Sequence, residues 1–274
     1  MDVLLWAGAG EIGTAIVRRV GAGMKIIAAD INPEKAENAA EALNSAGFDV
    51  LPLKADISSG EEVRWLIGEA QRFGEITALI STVGAPPSKT PIERIISSEL
   101  CGTAVLLEEV GSVIAVGGAG LVVSSAAGHR LDPLGVEADE QLAVCPAEEL
   151  SRLGMLSREK IRDRLHAHML AHYGVQKRAA AQAVRWGERG ARLNCLLVGL
   201  TASSAARQEL CGGRSEEYRN MYMKAPAGRL CTADEIAGAA EFLMSKSAAF
   251  ITGAELLIDG GATAEYRFGA LRPQ

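Results

Sequence analysis

Short, almost unbroken apolar runs alternate with longer amphipathic stretches from one end of the 274-residue chain to the other. The apolar runs lie at 3–7, 25–29, 50–53, 78–81, 120–124, 191–198 and 256–258. The stretches between them include helix-like segments at 33–45, 60–73, 91–116 and 232–245, and a long one at roughly 162–187. Strands that are apolar on both sides require cover on both faces of their sheet. Repeated strand-helix units place those strands in parallel. The expected fold is therefore α/β: a doubly wound, Rossmann-type parallel sheet in three layers, formed by residues 1–274 as a single domain. One segment breaks the rhythm. Residues at about 129–160 carry two prolines and many charges, with short helical stretches such as 146–153. This is an insertion too short to enclose a core of its own, and it is expected to emerge near the carboxyl ends of the strands, beside the ligand site.

The alternation ends in a specific signal at the first strand. Leu4-Leu5-Trp6-Ala7 runs into Gly8-Ala9-Gly10-Glu11-Ile12-Gly13, which is G-x-G-x-x-G with a strand before it and a helix after it. Glycines there permit a tight turn, close approach of the backbone to a pyrophosphate, and close helix-strand packing at the helix N-terminus. Gly8, Gly10, Ile12 and Gly13 are the candidate phosphate-facing residues. Asp30 closes the second strand 17 residues after Gly13. A carboxylate at that place accepts the ribose hydroxyls of NAD and repels the 2′-phosphate of NADP, so NAD is the expected cofactor. The bland alternative is a helix start, because Asp30-Ile31-Asn32-Pro33 is also a capping sequence.

The bulk composition narrows the partners. A net charge of −6 with no basic run gives no electrostatic footprint for nucleic acid. No apolar run reaches the roughly 18 residues of a membrane span, and no charged leader precedes the first strand. The five cysteines are scattered, odd in number and without C-x-x-C spacing, which suggests neither a disulfide framework nor a zinc site. A small-molecule substrate and a cytoplasmic location are expected.

With these segments in place, the chain resembles the short-chain dehydrogenase/reductases over nearly its whole length. The likeness is carried by the glycine motif, Ala55-Asp56-Ile57, Leu79-Ile80-Ser81-Thr82-Val83-Gly84, Val122-Val123-Ser124-Ser125-Ala126-Ala127-Gly128, Gly190-Ala191-Arg192-Leu193-Asn194 and Val198-Gly199. Near the C-terminus, Phe250-Ile251-Thr252-Gly253 followed by Ile258-Asp259-Gly260-Gly261 resembles the family's closing signature. The resemblance implies that Asp56 and Ile57 contact the adenine, that Thr82 to Gly84 line the adenine-ribose side, and that Val198 to Ser203 flank the nicotinamide. It also implies a homodimer or homotetramer in which two long helices build a four-helix interface.

The catalytic pattern departs from that family. Its chemistry uses a Ser, a Tyr and a Lys four residues after the Tyr. Ser125 matches the first. At the family's spacing from Arg192-Leu193-Asn194, the Tyr position falls on His168, 26 residues before Asn194, and the Lys position on His172. Next to them, Tyr173-Gly174-Val175-Gln176-Lys177 is itself Y-x-x-x-K. Five positions on a helix turn a side chain by about 140° and raise it about 7.5 Å, so Tyr173 points elsewhere unless the helix is set differently. In the family's long helix before the fifth strand, Glu99 stands where an Asn is usual. The 42 residues between Ser125 and His168 also exceed the usual interval.

Histidine titrates near 6.5 and can move a proton without the cationic neighbour a tyrosine needs. His168 is thus the candidate proton carrier, with Ser125 and His172 completing the candidate catalytic set. His172 lacks the reach and fixed charge of Lys. Two His at i and i+4 can also ligate a metal, but no carboxylate at metalloprotease spacing accompanies them, and no metal is expected. Three activities compete: an atypical NAD-dependent oxidoreductase acting on a carbonyl or alcohol, an enzyme diverted to non-redox cyclisation, isomerisation or elimination, and a catalytically silent binding subunit.

Overall fold

The computed structural model describes residues 1–84 and 86–272. Seven parallel strands form one sheet in the order β3-β2-β1-β4-β5-β6-β7. They are β1 (Asp2–Ala7), β2 (Lys25–Asp30), β3 (Asp49–Lys54), β4 (Glu75–Ser81), β5 (Ala119–Ser125), β6 (Arg192–Val198) and β7 (Glu255–Ile258). Strand order reverses between β1 and β4, which opens a crevice at their carboxyl ends, the place where such sheets bind ligands.

Helices cover both faces. On one face α1 (Glu11–Val20), α2 (Pro33–Asn44) and α10 (Ala233–Met244) enclose a core that includes Leu4, Trp6, Ile26 and Ile80. On the other, α3 (Gly60–Gln71), α5 (Thr103–Val113) and α7 (Arg164–Glu188) pack over Val3, Leu5, Ile27 and Leu79. Local chemistry sets the helix starts. Asn32 caps α2 by accepting the Glu34 N–H, with Pro33 at the first helical position, and Thr232 and Glu235 form a reciprocal capping box on α10. Asn32, rather than Asp30, thus supplies the cap of α2.

The long helix expected at 91–116 is present at 92–113 with a defect. Between α4 (Ile92–Ile95) and α5, residues Ile96–Gly102 form a π-helical turn. The Ser97 and Ser98 hydroxyls both donate to the Arg94 carbonyl at its start, a side-chain competition that bends helices. Such turns concentrate at functional sites, and this one carries Glu99.

The insertion differs from its expected layout. The segment 146–153 holds only a 3-10 turn at Leu150–Arg152, and the true helix is α6 (Val136–Val144). Sequence periodicity missed it because Leu142 is its only buried side chain. The docking is tertiary. Leu142, Leu150, Leu156 and Ile161 join the core beside α5 and α7, and the Ala147 N–H donates to Glu108 at 3.4 Å. Beneath them Arg178 is only 1% exposed and pairs with Glu108 at 3.2 Å. After Arg130 the insertion therefore leaves the crevice and lies over α5 and α7, the helix pair from which a four-helix interface was expected. No helix among the described residues is long and apolar enough to cross a membrane.

Candidate active site

The glycine loop shows three different constraints. Gly8 has φ +88, and a Cβ there would fall 2.7 Å from the Thr82 backbone. A Cβ on Gly13 would fall 2.3 Å from Trp6 Nε1, so α1 packs directly on β1. A Cβ on Gly10 would meet nothing within 4 Å. Gly10 instead borders open space, which fits a loop that cradles a pyrophosphate. Thr82 fastens the loop by donating its hydroxyl to the Gly8 carbonyl, while it accepts from Trp6 Nε1 at 3.2 Å.

Two adjoining cavities follow this loop. One, of about 190 Å³, is lined by Asp30, Asp56, Ile57, Thr82 and Gly84. The other, of about 450 Å³, is lined by Gly10, Ile12, Gly13, Val198 and Ser203 together with Ser125, His168 and His172. The expected cofactor residues are thus gathered along one continuous crevice. Two of their carboxylates are already engaged. Asp30 accepts the backbone N–H groups of Ala9 and Asn32, each at 2.9 Å. Asp56 is gripped by both terminal nitrogens of Arg94 at 2.8 and 3.0 Å. Although burial works against ionisation of Asp56, its bonds to Arg94 and Ser58 hold its pKa below the usual value.

The wall of the larger cavity is built from β5, the π-helical turn and α7. Ser125 ends β5, and its Oγ accepts the Ala127 N–H at 3.1 Å, which fixes the hydroxyl at the strand end. From α7, His168 and His172 place their rings 4.2 Å apart in an edge-on contact. Glu99 joins them from the other helix and is 1% exposed. One oxygen, Oε2, lies 3.0 Å from His168 Nδ1 and 3.3 Å from His172 Nε2.

The surrounding donors decide where the protons sit. The Ser125 N–H points at His172 Nδ1 at 3.2 Å, with Ser124 Oγ on the same nitrogen at 2.8 Å. His172 Nδ1 must therefore accept, and its ring proton is on Nε2, donated to Glu99. His168 donates from Nδ1 to the same carboxylate, leaving Nε2 as its basic atom, with no partner among the described residues. Burial disfavours charge on Glu99, but His168 and His172 outweigh it and hold the carboxyl far below its ordinary pKa. Burial, then the neighbouring His168, push the His172 pKa down, against the pull of Glu99. The result is an ionised carboxylate serving two imidazoles that both line the cavity, of which His168 keeps one ring nitrogen uncommitted.

These three groups offer ligand atoms within 4.8 Å of one another, the distances at which a divalent ion could be held. A carboxylate does accompany the two histidines, supplied by a different helix rather than by local spacing. The Ser125 N–H opposes ligation, because it commits the lone pair of His172 Nδ1 and keeps Nε2 protonated.

Tyr173 does not face this cavity. Its hydroxyl donates to Asp139 of α6, and Lys177 pairs with the same carboxylate at 3.1 Å. The Y-x-x-x-K string is an anchor for the insertion. Tyr218, which does line the cavity, is pushed up to about 12 by burial and then by Glu209, so it stays a neutral donor. Sequence reasoning registered Glu99 as a departure but gave it no role, and it passed over Ser124 and Arg130. A buried-type carboxylate where an amide is usual was the available signal.

Comparison with known proteins agrees with this architecture. A short chain dehydrogenase model matches residues 2–135, and an enoyl-(acyl carrier protein) reductase model matches residues 152–263. The chain is 32% identical over 271 residues to the short-chain dehydrogenase/reductase bsc3 of Alternaria brassicicola, covering 96% of both. The chain belongs to the short-chain dehydrogenase/reductase family. It is also 29% identical to D-threitol dehydrogenase of Mycolicibacterium smegmatis, over 95% of this chain and 92% of that one. Levodione reductase shares the fold, with a TM-score of 0.76 at 22% identity over 97% of this chain and 98% of that one. A short-chain dehydrogenase/reductase of Serratia marcescens does likewise, with a TM-score of 0.72 at 22% identity over 96% and 97%. The relatives are named dehydrogenases and reductases, and the family supports an oxidoreductase enzyme here.

Proposed function

We propose that the protein is an NAD-dependent oxidoreductase interconverting an alcohol and a carbonyl on a small organic substrate, with a carboxylate-imidazole pair in place of the family's Tyr and Lys. The observation that carries this is the 3.0 Å contact between Glu99 Oε2 and His168 Nδ1 on the wall that also holds Ser125. Gly8, Gly10, Ile12 and Gly13 would hold the pyrophosphate, and Asp30 the adenosine ribose. Asp56, Ile57, Thr82 and Gly84 would border the adenosine, and Val198 and Ser203 the nicotinamide. When bound, the nicotinamide supplies or accepts the hydride. Preference for NAD rests on the Asp30 carboxylate, which repels a 2′-phosphate.

Ser125 donates a hydrogen bond to the reacting oxygen. In the oxidative direction His168 Nε2 takes the hydroxyl proton while the carbon-bound hydrogen leaves as hydride; in the reductive direction the proton returns to the oxygen. Glu99 stabilises the imidazolium that forms, as a buried carboxylate does for a general base. His172 has both ring nitrogens committed and acts as a positioning residue that fixes Glu99 against His168. It does not replace the long arm of a Lys, so ribose anchoring is expected to be weaker than in relatives that keep one.

Calorimetric titration with NAD, NADH, NADP and NADPH comes first, followed by alcohol and ketone panels read by nicotinamide absorbance. NAD-selective binding and loss of turnover in His168→Ala support the proposal. Lack of binding to any dinucleotide would sink hydride transfer and leave the Glu99–His168 pair for non-redox acid-base chemistry.

A further inference from the structure

We infer that Arg130 anchors a carboxylate-bearing substrate in the cavity that holds Ser125 and His168. This deepens the oxidoreductase proposal and rests on it. Arg130 ends the 3-10 turn Ala126–Arg130, which begins directly after Ser125. That turn is clamped to α7: a Cβ on Gly128 would come 2.5 Å from Gln176 Nε2 and 2.8 Å from the Tyr173 nitrogen. The position of Arg130 relative to Ser125 is thus set by close backbone packing rather than by a free loop.

The guanidinium lines the cavity and is partly buried, and it forms no ion pair among the described residues. Of its five N–H donors, one reaches a recorded acceptor among the described residues, the Met221 Sδ at 3.4 Å. A thioether is a weak acceptor. The carboxylates whose charge it feels are engaged elsewhere. Glu217 pairs with Arg214 at 2.7 Å, and Asp259 accepts the backbone N–H groups of Gly261 and Thr263 at 2.9 and 2.6 Å. Glu209, on the same cavity, accepts from the Ser88 N–H and hydroxyl at 3.1 and 2.7 Å through one oxygen, while its other oxygen has no hydrogen-bond partner among the described residues. Burial pulls the Arg130 pKa down, as expected for a desolvated cation.

A partly buried guanidinium that faces a cavity with no carboxylate paired to it keeps its donors available to an anionic ligand. The planar fork of donors matches a carboxylate in two parallel hydrogen bonds. Completion by the dinucleotide pyrophosphate is less fitting, because the glycine loop and the start of α1 already present N–H groups for it. An oxo or hydroxy acid would place its carboxylate on Arg130 and its reacting oxygen at Ser125.

The test uses short aliphatic and alicyclic oxo and hydroxy acids, each paired with its methyl ester, on wild type, Arg130→Met and Arg130→Lys. Wild type is expected to prefer acids over esters in kcat/KM by about thirtyfold or more, carried mainly by KM. Arg130→Met should abolish that preference without weakening ester turnover, and Arg130→Lys should restore part of it. Arg130→Met should also fold at least as stably as wild type, since it removes an unpaired charge. The inference is overturned by equal use of acids and esters, by a preference that survives in Arg130→Met, by binding of none of the acids, or by a marked stability loss in that variant, which would make Arg130 a packing residue. Weakened NAD binding in Arg130→Met would assign it to the pyrophosphate instead. If wild type binds no dinucleotide, the oxidoreductase proposal fails separately, and calorimetry of the acids alone still decides the role of Arg130.

Discussion

Replacing Glu99 by Gln keeps the shape of a 1% exposed side chain and removes its charge, so its consequences isolate what the charge does. In the native protein Oε2 accepts two imidazole N–H groups at 3.0 and 3.3 Å. A hydrogen bond to a charged group exceeds a neutral one by about 1 kcal/mol, so two of them amount to about 2 kcal/mol. At this chain length that is a fall of roughly 4–8 °C in Tm. The catalytic effect should be larger. A carboxylate beside a forming imidazolium is worth about 4 kcal/mol at an effective dielectric of about 20, roughly a thousandfold in kcat. Urea denaturation of both proteins across pH provides the check. The Glu99 pKa is held low in the fold, so its contribution is full above the unfolded value near 4.3 and is lost as pH falls through the folded value. The His172 pKa is also depressed, so the unfolded chain takes up that proton first. Stability should then decline as pH drops below about 6.5, by at most about 1.4 kcal/mol per pH unit for this one group. Wild type and Glu99→Gln agreeing within about 0.5 kcal/mol at neutral pH, a margin typical of changes without a structural mechanism, would refute an ionised Glu99 serving both rings.

Tyr173→Phe should cost about 1 kcal/mol through the lost bond to Asp139, and kcat should be unchanged; a large loss of turnover would move the proton carrier from His168 to Tyr173. Asp30→Ala should narrow the preference for NAD over NADP in calorimetry, because the repelling charge is gone, and should loosen the glycine loop held through the Ala9 N–H. Because the insertion covers α5 and α7, assembly through that helix pair is not expected. Val184 is an exposed position of α7, and Val184→Arg should leave the mass seen in light scattering unchanged; dissociation of an assembly would show that α7 is an interface.

Much of the fold was legible because the relevant signals are local. Continuous apolar runs marked strands covered on both faces, and glycines at 8, 10 and 13 announced a tight turn, an open cradle and close packing, each with its own steric cause. Spacing from Arg192-Leu193-Asn194 brought attention to His168 and His172, and the structure lines one cavity with both and with Ser125. The helix α6 was not legible, because with one buried side chain it is held by docking against α7 rather than by its own periodicity.

By itself the sequence determined the parallel sheet, the dinucleotide-type loop and the identity of the candidate groups, since those depend on hydrophobic period and on residues close in the chain. Only the tertiary structure decided which of those groups work together. Glu99 meets His168 across 69 positions, and Ser124 meets His172 across 48. Contacts of that separation are set by how a π-helical turn, a strand end and a long helix pack. That packing fixes the imidazole protons, turns the Y-x-x-x-K string toward Asp139 and leaves Arg130 without a counter-ion among the described residues.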